Sequence, residues 1–142
     1  MSEAPKIKPV INIADVPLRE NAHGESFKAL IGSFGRQIGS TGVGVMLHVV
    51  EPGKKAFPFH NHHGIHELFV VLEGTGTYRF GNDSYPVKAG DVCAAPTGGP
   101  ETAHQMINTG PETLKLATVF VPGYTAEFNY NRCLEAAKKY AK

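Results

Sequence analysis

Glycine and proline cut this chain into short runs of β-branched and aromatic residues, and that punctuation restricts the possible folds more than any other feature. Val43–Val50 (VGVMLHVV), Glu67–Glu73 (ELFVVLE), Gly76–Phe80 (GTYRF), Ser84–Val87, Asp91–Ala95, His104–Asn108 and Leu114–Val121 all have strand composition and are bounded by turn residues. The pattern predicts an all-β domain. Between two of the runs, Gly81-Asn82-Asp83 reads as a hairpin turn, because Gly and Asn accept the positive φ of tight turns. The one helix expected is Asn131–Lys142 (NRCLEAAKKYAK), where good helix formers gather and lysines sit near the negative end of the helix dipole. It would be a short C-terminal appendage. Two apolar stretches nearer the N-terminus, Val10–Ile13 and Phe27–Ile31, are expected as edge strands or an arm. No repeat, low-complexity tract or linker divides the chain, so residues 1–142 are read as one domain.

Composition removes several function classes. The formal net charge is +1, from 14 basic and 13 acidic residues, so no electrostatic excess points to nucleic acid or an anionic membrane as a partner. The N-terminal stretch MSEAPKIKPVINI has no apolar core of signal-peptide length, and the longest apolar run, Leu68–Leu72, is too short to cross a bilayer. A cytoplasmic protein is expected, with Cys93 and Cys133 as free thiols in a reducing compartment.

The chemistry concentrates in FHNHHGIHELFVVLEGTG, where His60, His62, His63 and His66, four of the chain's seven histidines, precede an apolar run. Residues two apart in a strand face the same way, so His60 and His62 would project from one surface. A hairpin at Gly64 would fold Glu67 back toward that pair, and His104 opens another β run after the segment GGPETA. Three nitrogens and one oxygen suit a single divalent transition ion such as Mn, Fe, Co, Ni or Zn, with two octahedral positions left open. Glu67 would otherwise be an anion on the apolar strand face of Phe69 and Val71, and a buried carboxylate needs a cation. His66 lies on the opposite strand face and is the competing candidate, although the spacing favours Glu67; His63 is expected in a loop outside the ligand shell. His23 reads as an exposed loop histidine and His48 as a strand histidine. Tyr78, Phe80, Met106 and Phe120 suit either a pocket lining or core packing. Lys54, Lys55, Arg79 and Lys88 are cations that an anionic substrate would meet if they were not simply solvated.

Two spaced patterns carry a family resemblance. Gly53, His60-Asn61-His62, Glu67 and Gly74 resemble the first motif of the cupin superfamily, and Gly90, Pro96-Thr97-Gly98, His104 and Asn108 resemble the second. Fifteen residues separate the two, as in compact microbial cupins. The spacer after Gly53 is one residue longer than usual, and that between Gly98 and His104 about three longer. The resemblance implies a jelly-roll barrel with its motif-bearing core at about residues 43–121, and metal ligation by His60, His62, Glu67 and His104. It also implies a homodimer that binds a small molecule. Sugar-phosphate isomerase, dioxygenase and decarboxylase activities, and non-catalytic sensing, all occur on such a fold; for a metal-dependent enzyme, Glu67 is the candidate proton acceptor.

Overall fold

The computed structural model describes residues 6–122, in which nine strands form two antiparallel sheets. In chain order these are β1 (Arg19–His23), β2 (Phe27–Ser33), β3 (Gly44–Val50), β4 (Ile65–Glu73), β5 (Thr75–Phe80), β6 (Asp83–Lys88), β7 (Val92–Ala95), β8 (His104–Ile107) and β9 (Leu114–Pro122). The larger sheet has the order β1-β2-β3-β9-β4-β7, and the smaller the order β6-β5-β8. The expected all-β character holds. Gly81-Asn82 is the two-residue turn between β5 and β6, with Gly81 at φ 60° as the hairpin requires. Among the described residues the only helical segments are three short 3-10 turns; the expected helix Asn131–Lys142 lies outside them.

The sheets face each other across one core of alternating strand residues. Ile31, Val50, Phe69, Val71, Tyr78, Val87, Met106, Leu114 and Leu116 all belong to it. They do not close into the continuous barrel expected. One side is laced by the segment after β3: Lys55 bridges Phe27 and Ile107, Ala56 N–H donates to the Met106 carbonyl at 2.9 Å, and His60 bridges His104. The opposite side, between β6 and β7, has no such ladder. It is spanned by the Tyr78 hydroxyl, which donates to the Ala94 carbonyl at 2.7 Å.

The N-terminal readings need two corrections. Of the two alternatives for Val10–Ile13, the strand is not found: Ile11 and Ile13 pack beside Val16, Phe34 and Leu47 in a second cluster separate from the inter-sheet core. Nor is Phe27–Ile31 an edge, because the polar run Arg19–His23 pairs outside it as β1. Backbone hydrogen bonds define that pairing, with one exposed ion pair, Lys28–Glu20, across it, so apolar side-chain composition gives little sign of it.

Asn108 shows what a buried polar residue does here. Its side-chain amide donates to the Val50 and Glu112 carbonyls, both at 2.8 Å, and its oxygen accepts from Gly110 N–H at 3.0 Å. The residue is fully buried. Truncation would strand three backbone groups, so Asn108→Ala is expected to lower stability by about 2–4 kcal/mol. Urea unfolding checks this: the midpoint should fall with an unchanged slope.

Candidate metal centre

Three chain segments bring the predicted donors together. His60 and His104 are joined through their backbones, His104 N–H donating to the His60 carbonyl at 2.8 Å and His60 N–H to the His104 carbonyl at 3.2 Å. They therefore sit directly opposite each other, although His60 lies in an isolated bridge and not in the regular strand expected for His60 and His62. His62 is held by its carbonyl, which accepts from Gly98 N–H at 2.9 Å, while the neighbouring Asn61 amide donates to the Gly98 carbonyl at 3.0 Å. Glu67 comes from β4, two residues before the fully buried Phe69 and on the same face. The longer spacer before His104 is taken up by a 3-10 turn, Pro100–Thr102.

One donor atom from each of His60, His62, Glu67 and His104 lies within 4.8 Å of the other three. His60 Nε2 and His62 Nε2 are 2.9 Å apart, and Glu67 Oε2 is 3.0 Å from His104 Nε2 and 3.4 Å from His62 Nε2. The far ring nitrogens fix the orientation. His104 Nδ1 meets the Thr102 carbonyl at 2.9 Å and His60 Nδ1 meets the Pro58 carbonyl. A carbonyl only accepts, so each Nδ1 carries a proton and each Nε2 turns a lone pair inward, the arrangement that orients histidine toward a cation. Lone pairs and a carboxylate facing one another at these distances repel unless a proton or cation lies among them. The donor set therefore fits a divalent transition ion.

Electrostatics agree. Without a metal, protons take the cation's place among the Nε2 atoms: burial opposes ionisation of Glu67, but a hydrogen bond from protonated His104 and positive charge on His62, His104 and His60 outweigh it and hold the carboxyl below its usual range. Burial also lowers His62, against the pull of Glu67 and with help from His60 and His104. His66, the alternative to Glu67, is elsewhere: its Nδ1 accepts from Thr97 N–H at 3.2 Å. His63 lies in the bend before β4, and neither joins the cluster.

The cluster lies on the wall of a cavity of about 280 Å³, lined by Met46, His48, Phe57, Ile65, Phe69, Thr118 and Phe120 besides His60, His62 and Glu67. Phe120 and Glu67 are register partners, as are Phe69 and Thr118, so β9 and β4 build the cavity in successive rows. Phe57 packs its ring edge-on to His60 and His104 and stacks on Phe69 at 5.2 Å. Of the aromatic and methionine candidates, Phe120 lines this cavity, whereas Tyr78 and Met106 are core. The four basic candidates are engaged elsewhere or absent from its walls. Arg79 donates to Gln105 at 2.9 Å and lies over Phe59, Lys54 donates to the Glu25 carbonyl at 2.6 Å, Lys55 lies over Phe27, and Lys88 is exposed.

His48 is the cavity residue that sequence reasoning passed over. Alternation along β3 with the buried Val50 was the available signal. Its Nδ1 lies 3.2 Å from the Thr118 hydroxyl. Burial, only partly offset by Glu67, lowers its pKa to about 4, so it is a neutral hydrogen-bonding group on the cavity wall at neutral pH. The sign of the linkage follows: unfolded His48 takes up a proton below about pH 6.5 whereas the folded residue resists until about 4, so stability is lost as pH falls between the two. The interval corresponds to roughly 3 kcal/mol. In metal-free protein, urea midpoints measured at about pH 7 and about pH 4 should show a smaller acid loss for His48→Gln than for the wild type.

Comparison with known proteins agrees with this geometry. The family model described as "Cupin domain" matches residues 46–121, more than half of the chain. An uncharacterised protein of Methanocaldococcus jannaschii is 29% identical over 126 residues, covering 89% of each chain. An oxalate-binding protein of Thermotoga maritima is 31% identical over 70 residues, 49% of this chain and 55% of that one. Among solved structures, a provisionally named sugar phosphate isomerase of Acidithiobacillus ferrooxidans superposes with a TM-score of 0.72 at 29% identity, covering 82% of this chain and 76% of its own. A predicted oxalate decarboxylase of Thermotoga maritima gives 0.69 at 21% identity, with 80% and 99% covered, a likeness of fold alone. The chain belongs to the cupin family.

Proposed function

We propose that this cupin is a metal-dependent enzyme acting on a small polar metabolite with adjacent oxygen atoms, with sugar-phosphate isomerisation as the leading activity. One observation carries the reading: of four converging donors, His60, His62 and Glu67 stand on the wall of an open cavity with the buried His104 behind them, whereas a purely structural ion is more often enclosed by four ligands. His60, His62, Glu67 and His104 would hold the ion, which supplies Lewis-acid polarisation of a bound carbonyl or hydroxyl when present. Glu67 is the carboxylate placed to accept a proton, since its depressed pKa keeps it ionised. Phe57, Phe69 and Phe120 exclude water from the inner wall, and neutral His48 offers a hydrogen bond to a substrate hydroxyl. The sugar phosphate isomerase named among the similar structures supports the substrate class.

A second reading, decarboxylation or dioxygenation of a small acid, is favoured by the apolar character of the cavity lining and by the oxalate-binding relative. Loading the protein separately with Mn, Fe, Ni and Zn, then assaying sugar phosphates, hydroxy acids and catechols for isomerisation, CO₂ release and oxygen uptake, separates the two. Isomerisation without oxygen uptake is expected. Thermal shift without turnover under any metal would favour a non-catalytic sensor.

The metal assignment has its own check. Purified protein should carry about one divalent ion per chain, and His62→Ala or His104→Ala should cut occupancy at least tenfold by elemental analysis. Occupancy should also fall with pH, because protons compete for each imidazole below about pH 6.5; the lowered pKa of His62 moves that loss toward more acid solution. Two copies are expected to associate: β7 ends the larger sheet unpaired, and the exposed apolar side chains Leu68 and Val92 lie on or beside that edge. Light scattering at micromolar concentration should give a dimer mass.

A further inference from the structure

A larger cavity, of about 640 Å³, adjoins the one beside the cluster and shares its wall residues Ile65 and Phe120. Much of its lining comes from the loop between β2 and β3, GRQIGSTGV at residues 35–43. Arg36 is the one Arg or Lys among the described residues that line this cavity, and among the described residues it forms no ion pair. No Asp or Glu among the described residues lines this cavity. A guanidinium without an acidic partner among the described residues, beside a cavity that no described Asp or Glu lines, is electrostatically prepared for an anionic ligand.

The loop is built to hold its shape. Phe34 N–H donates to the Val45 carbonyl and Ser40 N–H to the Gly35 carbonyl, both at 3.0 Å, and the Ser40 hydroxyl donates to the Val43 carbonyl at 2.6 Å. Gln37 uses one amide hydrogen on the Ser33 carbonyl at 2.8 Å. Among the described residues this leaves the Arg36 fork, the Thr41 hydroxyl and the second amide hydrogen of Gln37 as uncommitted donors on one cavity. Three donor groups of this kind match the three terminal oxygens of a phosphate monoester better than the two of a carboxylate.

Position relates this cavity to the cluster. Gly44 pairs with Phe120, and Phe120 pairs with Glu67, so the three occupy one row across β3, β9 and β4. Two strand spacings separate Gly44 from Glu67, roughly 10 Å, a distance a short sugar phosphate can span. Phe120 stands between the two spaces with its ring against Gly44, where an added Cβ would meet ring carbons at 2.2 Å. Only glycine leaves room for the ring there.

We propose that the outer cavity binds the phosphate group of a phosphorylated substrate whose other end reaches the cluster, with Arg36 as its principal contact. The proposal deepens, and in its second half rests on, the metal-enzyme reading above. Titration calorimetry tests it with fructose 6-phosphate and fructose on the metal-loaded protein, and with inorganic phosphate on the metal-free protein, for wild type, Arg36→Ala and Arg36→Lys. The phosphorylated sugar should bind wild type about tenfold or more tighter than fructose. Arg36→Ala should abolish that difference at unchanged metal content, and Arg36→Lys should keep part of it, having charge without the fork. Inorganic phosphate should bind metal-free wild type and lose that affinity in Arg36→Ala. A protein that takes up no metal but still binds inorganic phosphate through Arg36 would overturn the metal-enzyme reading and support the anion site. Absence of Arg36-dependent binding of either phosphate probe, or tighter binding of citrate than of fructose 6-phosphate, would overturn the anion site.

Discussion

The reciprocal backbone hydrogen bonds between His60 and His104 are the contact on which the site depends. They join the segment after β3 to the first residue of β8, and so tie the two motif-bearing halves of the chain at the point where their donors must meet. Strand pairing then sets the rest. Glu67 stands two residues along β4 from Phe69, whose ring is buried against Phe57, and Phe57 in turn packs against both His60 and His104. A loss of packing at Phe57 would therefore reach three of the four donors without touching a donor atom.

The same architecture explains why a polar cluster survives beside an apolar core. His104 is fully buried, yet its Nδ1 meets the Thr102 carbonyl and its Nε2 faces Glu67 across the space a proton or cation would fill. Among the described residues no buried side-chain nitrogen or oxygen lacks a hydrogen-bond partner. The inward nitrogens of His60 and His104 are thus held by outward hydrogen bonds to the backbone, which leave the inward face for a cation. His48 and Thr118 extend the polar wall in the same manner, each satisfying the other.

Much of this was readable from the chain itself, for physical reasons. Strands β3 to β9 announce themselves because β-branched residues alternate between glycine and proline turns, and Glu67 announces itself because a carboxylate on the face of Phe69 and Val71 demands a partner. What stayed hidden depends on contacts distant in sequence. β1, with the composition RENAH, has no apolar periodicity and is a strand only because β2 offers it a hydrogen-bonding edge. Val10–Ile13 has a strand-like composition, but its isoleucines found an apolar surface to pack on before any edge. The role of His48 rests on Thr118, seventy residues away, and that of Arg36 on a cavity whose other wall is Phe120. The seam left open between β6 and β7 is likewise a matter of how two sheets meet, which motif spacing does not encode.

The central claim is that His60, His62, Glu67 and His104 hold a divalent ion that is open toward the cavity. X-ray absorption spectroscopy of the protein as purified, at the edge of whichever metal it contains, tests this most directly. The account predicts about three imidazole nitrogens and one carboxylate oxygen at roughly 2.0–2.2 Å, plus at least one exchangeable light-atom ligand that a bidentate hydroxy acid displaces. A closed four-ligand shell unmoved by added ligands, or a shell containing sulfur, would contradict it.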